Sequence, residues 1–364
     1  MRTLHIETGR HLYGGAEQVG YLLRELSRNP DWPAELVCPR DSELLERVRD
    51  LPVYCHPLPL RGDLDPSFFA RLAGLIRRRK PDVVHVHSRR GADVWGGLAA
   101  RACRVPAVVT RRVDNPEAAL AARVKYGLYA RVAVISGAIR NVLLREGVPE
   151  HKLVCIPSAV DSDKYKGECD REAFLEELDL KPEHRAVGMI AQFIRRKGHD
   201  DLLRALPEIL KRCPEARIVF FGRGPLEEQI RERVEQSGMT HAVRFAGFRD
   251  DLHRLLPCLD LAVHPAHMEG LGVSLLQAAA AGVPLVGYEA GGVPEIVRNE
   301  ESGRLVSCGD VQGLADAAAG LLTDPERALA LGRGGRALVE RDFSVPAMTR
   351  SYKELYREVA GNNG

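Results

Sequence analysis

The chain has 364 residues, 45% of them hydrophobic and 28% charged, with a formal net charge of +2. That length exceeds one ordinary core and divides naturally into two domains of roughly 150–200 residues, while the composition excludes a disordered or fibrous chain. The sequence holds no run of about 18 apolar residues, and the opening MRTLHIETG reads as a strand rather than a secretory signal. Cysteines at 38, 55, 103, 155, 169, 213, 258 and 308 stand singly with no C-x-x-C. That arrangement argues against zinc and against a disulfide framework, and it fits a reducing cytoplasm. Residues 1–160 hold 25 Lys/Arg against 17 Asp/Glu, and the remainder 27 against 33. Either the basic half meets something anionic, or surface charge simply drifts along the chain.

Short β-rich apolar runs alternate with helical patterns from end to end. Strands are predicted at 4–8, 34–38, 82–87, 107–110, 132–136 and 153–157, with helices at 16–27, 42–50, 66–81 and 138–147. After a polar boundary at 158–184 the scheme repeats, with strands at 186–191, 217–222, 243–247, 261–265, 284–288 and 304–307. Helices are predicted between them at 200–213, 225–238 and 273–282, and the tail MTRSYKELYREVAG is helical. Strands alternating with helices of 10–15 residues imply parallel sheets covered on both faces, so the fold class is α/β with two Rossmann-like domains. The domains are set at 1–160 and 161–345, with a tail of 346–364. Ligands of such sheets sit beyond the carboxyl ends of the strands, and a cleft between facing domains is the expected site.

Six stretches carry candidate chemistry. In HLYGGAEQV (11–19), Gly14 and Gly15 either admit phosphate or sugar close to backbone or make a tight turn. Helix 66–81 (PSFFARLAGLIRRRKP) has an apolar stripe beside five cations; it either lies on an anionic membrane or packs on the sheet with its basic end at the helix C-terminus. His85 and His87 alternate with valines in DVVHVHS, without a metal-ligand spacing, and read as core histidines. In TRRVDNPE (110–117), Arg111, Arg112 and Asp114 either face the cleft or form a local ion pair. In AQFIRRKGHDDLL (191–203), Arg195, Arg196 and Lys197 sit between a strand end and a helix start, the arrangement of a diphosphate cradle. Finally, in HMEGLGVSLLQ (267–277), Glu269 precedes a glycine-opened helix start: it either caps that helix or holds sugar hydroxyls, with Gln277 about one turn inside. GRGPLE (222–227) lacks a third glycine, so the nicotinamide fingerprint is absent.

Taken in order, GGAE, DVVHVHS, VAVISGAIRNVLLREGVPEHKLVCIPSAVD, RRKGHDDLL, FFGRGPLEE, VRFAGFRDDL and HPAHMEGLGVSLLQAAAAGVPLVG resemble the retaining GT-B glycosyltransferases of family 4. The resemblance covers nearly the whole chain. It implies two Rossmann-like domains, a nucleotide-sugar held mainly by the second, and no metal or other cofactor. Lys197 and Arg196 match diphosphate-binding cations, and Glu269 matches the first glutamate of an E-x7-E signature that holds the donor sugar. Gln277 stands at the second, which bonds the ribose. Backbone at Gly270, Leu271, Gly272, Val273 and Ser274 would take phosphates, with Gly291 and Gly292 near them and Phe248 among the donor contacts. Gly14 and Gly15 match the first-domain loop that approaches diphosphate and acceptor, and the tail helix near 346–358 would return to the first domain. The sequence departs from the family pattern at Gln277, at Gln192 in place of an arginine, and at Arg112 in place of a histidine, with Asp114 as the neighbouring acceptor contact.

The expected activity is transfer of a sugar, with retention, from a UDP-sugar to a glycan or glycolipid acceptor of a bacterial envelope. The expected setting is the cytoplasm or the inner membrane face, with contact to an anionic membrane through 66–81 and no nucleic-acid partner. A GT-B epimerase and a non-catalytic nucleotide-sugar-binding protein stand as alternatives.

Overall fold

A computed structural model of the protein describes residues 1–12, 14–59, 61–63, 65–88 and 91–361. Tyr13 of the glycine stretch and the last three residues of the tail lie outside them. The chain divides into two compact units, 1–159 with 345–364, and 160–344.

Among the described residues the first unit carries seven parallel strands: β1 (Thr3–Ile6), β2 (Ala34–Cys38), β3 (Tyr54–Pro57), β4 (Val83–Val86), β5 (Ala107–Arg111), β6 (Arg131–Val134) and β7 (Leu153–Cys155). Their order is β3-β2-β1-β4-β5-β6-β7. Thr3 faces Ala34 on one side and Val83 on the other, so the strand order reverses between β1 and β4. These strands are nearly all apolar because both faces of a parallel sheet are covered, and that made them visible as runs. The exception is β3, YCHP, which no periodicity marks: it is a half-exposed edge strand ending in proline. The tail helix Val345–Gly361 packs into this unit, burying Met348, Tyr352, Leu355, Tyr356 and Val359.

The second unit has six parallel strands: β8 (Arg185–Ile190), β9 (Ala216–Phe221), β10 (Val243–Gly247), β11 (Leu261–His264), β12 (Leu285–Tyr288) and β13 (Gly303–Val306), in the order β10-β9-β8-β11-β12-β13. Here the order reverses between β8 and β11. The two parallel sheets establish the expected α/β class.

Two expectations are corrected. The apolar stripe of helix Pro66–Arg79 is not open to a bilayer: Phe68, Leu72, Leu75 and Ile76 are buried within the unit. Its basic end, with Arg77 and Arg78 exposed, follows the favourable placing of cations at a helix C-terminus. The cysteines are also not all single. Cys169 and Cys258, 89 residues apart, form a disulfide with Cα atoms 5.0 Å apart. Spacing along the chain cannot announce a pair that only tertiary folding brings together.

Candidate functional site

In the second unit the crevice at the reversal point lies past the carboxyl ends of β8 and β11. After β8 the chain makes a single 3-10 turn, Arg195–Lys197, and enters helix His199–Arg212 through Gly198. Gly198 sits at φ 76°, and a Cβ there would lie 1.9 Å from the Pro265 carbonyl oxygen, so only glycine lets the two loops meet. After β11 the loop runs to Gly272 and opens helix Val273–Ala280. The two loops bring together Lys197 and Glu269: Nζ lies 2.5 Å from Oε2. His264, the last residue of β11, places Nε2 2.8 Å from the same oxygen.

This pair is largely dry, with 13% and 14% of the two side chains exposed. Burial by itself would raise the Glu269 carboxyl, but the hydrogen bond and charge of His264 and the Lys197 ammonium outweigh it and hold it down to about 2. The Glu269 carboxylate also accepts from its neighbour's amide, Gly270 N–H, at 3.1 Å. Its main-chain oxygen accepts from Gly292 N–H at 3.0 Å, so the loop after β12 buttresses the one after β11.

Around this centre the remaining predicted residues fall as follows. Arg196 is exposed, and its carbonyl accepts from His267 N–H at 2.8 Å. Gly270, Val273, Ser274 and Gln277 are half-buried at the helix entrance. Leu271 is buried, with 1% of its surface exposed. Helix-opening amides such as those of Val273 and Ser274 have no partner within the helix and suit an anion. Phe248 follows β10 and is 63% exposed, with the Arg223 guanidinium 4.8 Å from its ring centre. Gln192 is exposed after β8.

The sequence reading left out His264, although its place five residues before Glu269 at a strand end was a usable signal. It also left out His199, which stacks on Phe193 at 4.4 Å. Burial, reinforced by His264 and Lys197, holds His199 down to about 4, so it is neutral at pH 7. Its Nε2 is buried without a hydrogen-bond partner among the described residues.

In the first unit the reversal point is marked by three buried histidines, His5 on β1 and His85 and His87 on or just past β4. Arg112, just past β5, places Nη2 3.5 Å from His87 Nδ1. A guanidinium only donates, so His87 Nε2 carries the proton and donates to His5 Nδ1 at 3.0 Å; His5 Nε2 then donates to the Thr3 hydroxyl at 3.0 Å. His85 bonds the Tyr356 hydroxyl of the tail helix at 2.6 Å and Thr110 at 2.7 Å. Ring nitrogens of the three histidines lie within 4.8 Å of one another; a hydrogen bond joins His5 to His87, while His85 packs against the His87 ring at 3.7 Å between centroids. Burial pushes His5 down to about 3; His85 and His87 lie well below the usual histidine range through burial, the neighbouring histidines and Arg112.

Arg112 Nε and Nη1 are buried without partners among the described residues, and the position of a Gly15 Cβ would lie 3.4 Å from Arg112 Cδ. Gly14 and Gly15 open helix Gly14–Ser27. Arg111 is instead structural: buried at 1%, it pairs with Glu117 at 2.6 Å, and Glu117 pairs with Lys125. Asp114 is half-buried in the irregular segment that follows β5.

The chain matches the family models "Glycosyl transferases group 1" over 170–338 and "Glycosyltransferase Family 4" over 13–164. It is 33% identical over 235 residues to a GDP-mannose-dependent alpha-(1-6)-phosphatidylinositol monomannoside mannosyltransferase of Mycobacterium tuberculosis, covering 62% of this chain and 61% of that protein. It is 30% identical over 302 residues to the 2-deoxystreptamine N-acetyl-D-glucosaminyltransferase of Streptomyces fradiae, covering 74% and 71%. Among solved structures, Anabaena HepE in complex with UDP superposes with a TM-score of 0.85 at 20% identity, covering 98% of this chain and 100% of that one. A Rickettsia africae glycosyltransferase superposes with a TM-score of 0.87 at 18% identity, over 99% of both chains. Two parallel-sheet units, each with its polar centre at the strand reversal, are the architecture of a GT-B protein. The chain belongs to the group 1, family 4 glycosyltransferases.

Proposed function

We propose that the protein transfers a sugar, with retention of configuration, from a nucleoside-diphosphate sugar to a glycan or glycolipid of a bacterial envelope. One observation carries this reading: an ionised, nearly dry carboxylate paired with a lysine at the β8/β11 reversal, beside a glycine-opened helix start. Glu269 is an acceptor for sugar hydroxyls. Lys197, Arg196 and the amides from Gly270 to Ser274 are donors for a diphosphate, whose growing negative charge is the main obstacle to departure. Lys197 is held in place by Glu269 before any ligand arrives, so little reorganisation is needed when phosphate shares it. The leaving phosphate would itself help to deprotonate the acceptor on the same face, which requires no protein nucleophile and, in this reading, no metal.

Gln277 is assigned to the ribose, and Phe248 offers an exposed ring for the base. In the first unit, the Arg112 guanidinium beside Gly15, whose Nε and Nη1 have no partner among the described residues, is assigned to an anionic group of acceptor or donor, with Gly14 and Asp114 as further contacts of the acceptor. A UDP-sugar was the expected donor, whereas the mycobacterial relative is named as GDP-mannose-dependent; UDP- and GDP-sugars therefore head the donor panel. A glycolipid acceptor would place the work at the cytoplasmic face of a membrane. No described helix is long and apolar enough to cross one.

The test is a donor screen by thermal shift, followed by transfer to extracted glycolipid with the product anomer read by NMR. Donor binding with an unchanged anomeric configuration in the product is expected. An inverted product overturns retention. Binding without transfer or hydrolysis favours a non-catalytic sugar-nucleotide-binding protein, and conversion of the donor without acceptor favours an epimerase.

A further inference from the structure

Three polar side chains of the second unit that the donor site does not use stand in line. Cys308 Sγ lies 3.4 Å from His267 Nδ1, and His267 Nε2 lies 2.8 Å from Asp201 Oδ2. They come from three separate elements: the turn after β13, the loop after β11, and the first turn of helix His199–Arg212. The Asp201 carboxylate is 10% exposed and only accepts, so His267 Nε2 carries the proton and the Nδ1 lone pair faces the thiol. Asp201 is itself held by Arg204 at 3.3 Å, and His267 is fixed by the hydrogen bond its main-chain N–H donates to the Arg196 carbonyl and by an edge-on contact with Tyr288 at 5.7 Å.

A thiol, an imidazole and an oriented carboxylate in hydrogen-bond register are the parts that activate a sulfur nucleophile. Burial and the Asp201 charge push the Cys308 thiol up, so its resting form keeps the proton and the imidazole must take it during attack. Cys308 is nonetheless reachable: residues 307–310 are all exposed. An open turn offers no enclosure for a large substrate and suits a small electrophile.

We propose that Cys308 is a nucleophilic thiol served by His267 and Asp201, and that its substrates are small electrophiles, hydroperoxides among them. With a hydroperoxide, sulfur attacks the distal oxygen; the S–O bond forms as the O–O bond breaks. The thiol proton passes to His267 Nδ1 and on to the leaving oxygen, giving an alcohol or water. Sulfur is oxidised to the sulfenic acid and the peroxide is reduced, while Asp201 stabilises the transient imidazolium. This chemistry does not depend on the donor-site reading.

The experiment follows alkylation of the full chain by iodoacetamide, residue by residue, by mass spectrometry, with exposed Cys155 as internal reference. At pH 7 Cys308 should react at least about a hundredfold faster than Cys155, the lower end of general-base assistance. In His267→Gln its rate should fall to that of Cys155, and its rate–pH profile should move to higher pH, as an unassisted raised thiol requires. Asp201→Asn should lie between the two; if loss of this buried carboxylate unfolds the helix start, the half-exposed His267 variant decides. Continued protection of Cys213, buried in the same unit as both substitutions, reports an intact fold. Equal rates at Cys308 and Cys155, or equal Cys308 rates in wild type and His267→Gln, overturn the proposal. With hydrogen peroxide and a sulfenic-acid trap, adduct on Cys308 is expected, and its absence removes hydroperoxides as substrates.

Discussion

Glu269→Gln, Lys197→Met and the double variant test whether the buried pair is a coupled unit. Glu269 is held at about 2 against an ordinary 4.5; at ~1.36 kcal/mol per pH unit this corresponds to about 3 kcal/mol in favour of the ionised form. Removing Lys197 leaves a nearly dry carboxylate with His264 and the Gly270 amide beside it but no ammonium, the situation in which loss of one partner costs ~3–5 kcal/mol. Each single variant should therefore lose about 3 kcal/mol at pH 7, and the double variant should recover about 2 kcal/mol of the sum. The pH dependence has a definite sign. A carboxyl with a depressed folded value stabilises above its unfolded value of 4.5 and loses that contribution as pH falls toward 2. The wild type should lose about 0.8 kcal/mol relative to Glu269→Gln by pH 4 and about 2 kcal/mol by pH 3. Urea unfolding of the four proteins from pH 7 to pH 3 measures both effects. Additive single losses, or parallel wild-type and Glu269→Gln curves below pH 5, refute the coupled pair. Lys197→Ala should also cut transfer at least about tenfold, the value of one charge-assisted contact, but with a stability loss the sequence did not foretell.

Gln277→Glu should tighten nucleoside-diphosphate binding in calorimetry, since a carboxylate accepts from two ribose hydroxyls where an amide oxygen accepts from one; unchanged or weaker binding removes Gln277 from the ribose. Gly15→Val should push on Arg112 and lower transfer while leaving the melting temperature unchanged or higher, because valine exceeds glycine in helix propensity; full activity releases Arg112 from any role. Gly198→Ala should cost more than about 2 kcal/mol in thermal unfolding, since the new methyl meets the Pro265 carbonyl. His5, His85 and His87 are neutral when folded, so their contribution is complete above pH 6.5 and declines as pH falls below it. Each should steepen acid unfolding by up to ~1.36 kcal/mol per pH unit, and His5→Phe should show a shallower slope than wild type in urea titrations between pH 6 and pH 4.

Alternation of apolar runs with amphipathic helices determined the α/β class, and twelve of the thirteen strands among the described residues stand where those runs lie, because a parallel strand buried on both faces has to be apolar. The half-exposed edge strand Tyr54–Pro57 escaped for the converse reason. The loops RRKG and MEGLG were likewise legible, since glycines and charges at strand ends are local properties. Partnership was not. That Lys197 meets Glu269 and His264 follows from the pairing of β8 with β11, and that Cys308 lines up with His267 and Asp201 and that Cys169 bonds Cys258 follow from tertiary packing. Helix 66–81 shows the same division: its sequence specified an apolar stripe and a basic end, whereas packing alone decided that the stripe faces the interior. Sequence sets what each segment can offer, and the crossover of strands sets which offers come within reach of a hydrogen bond.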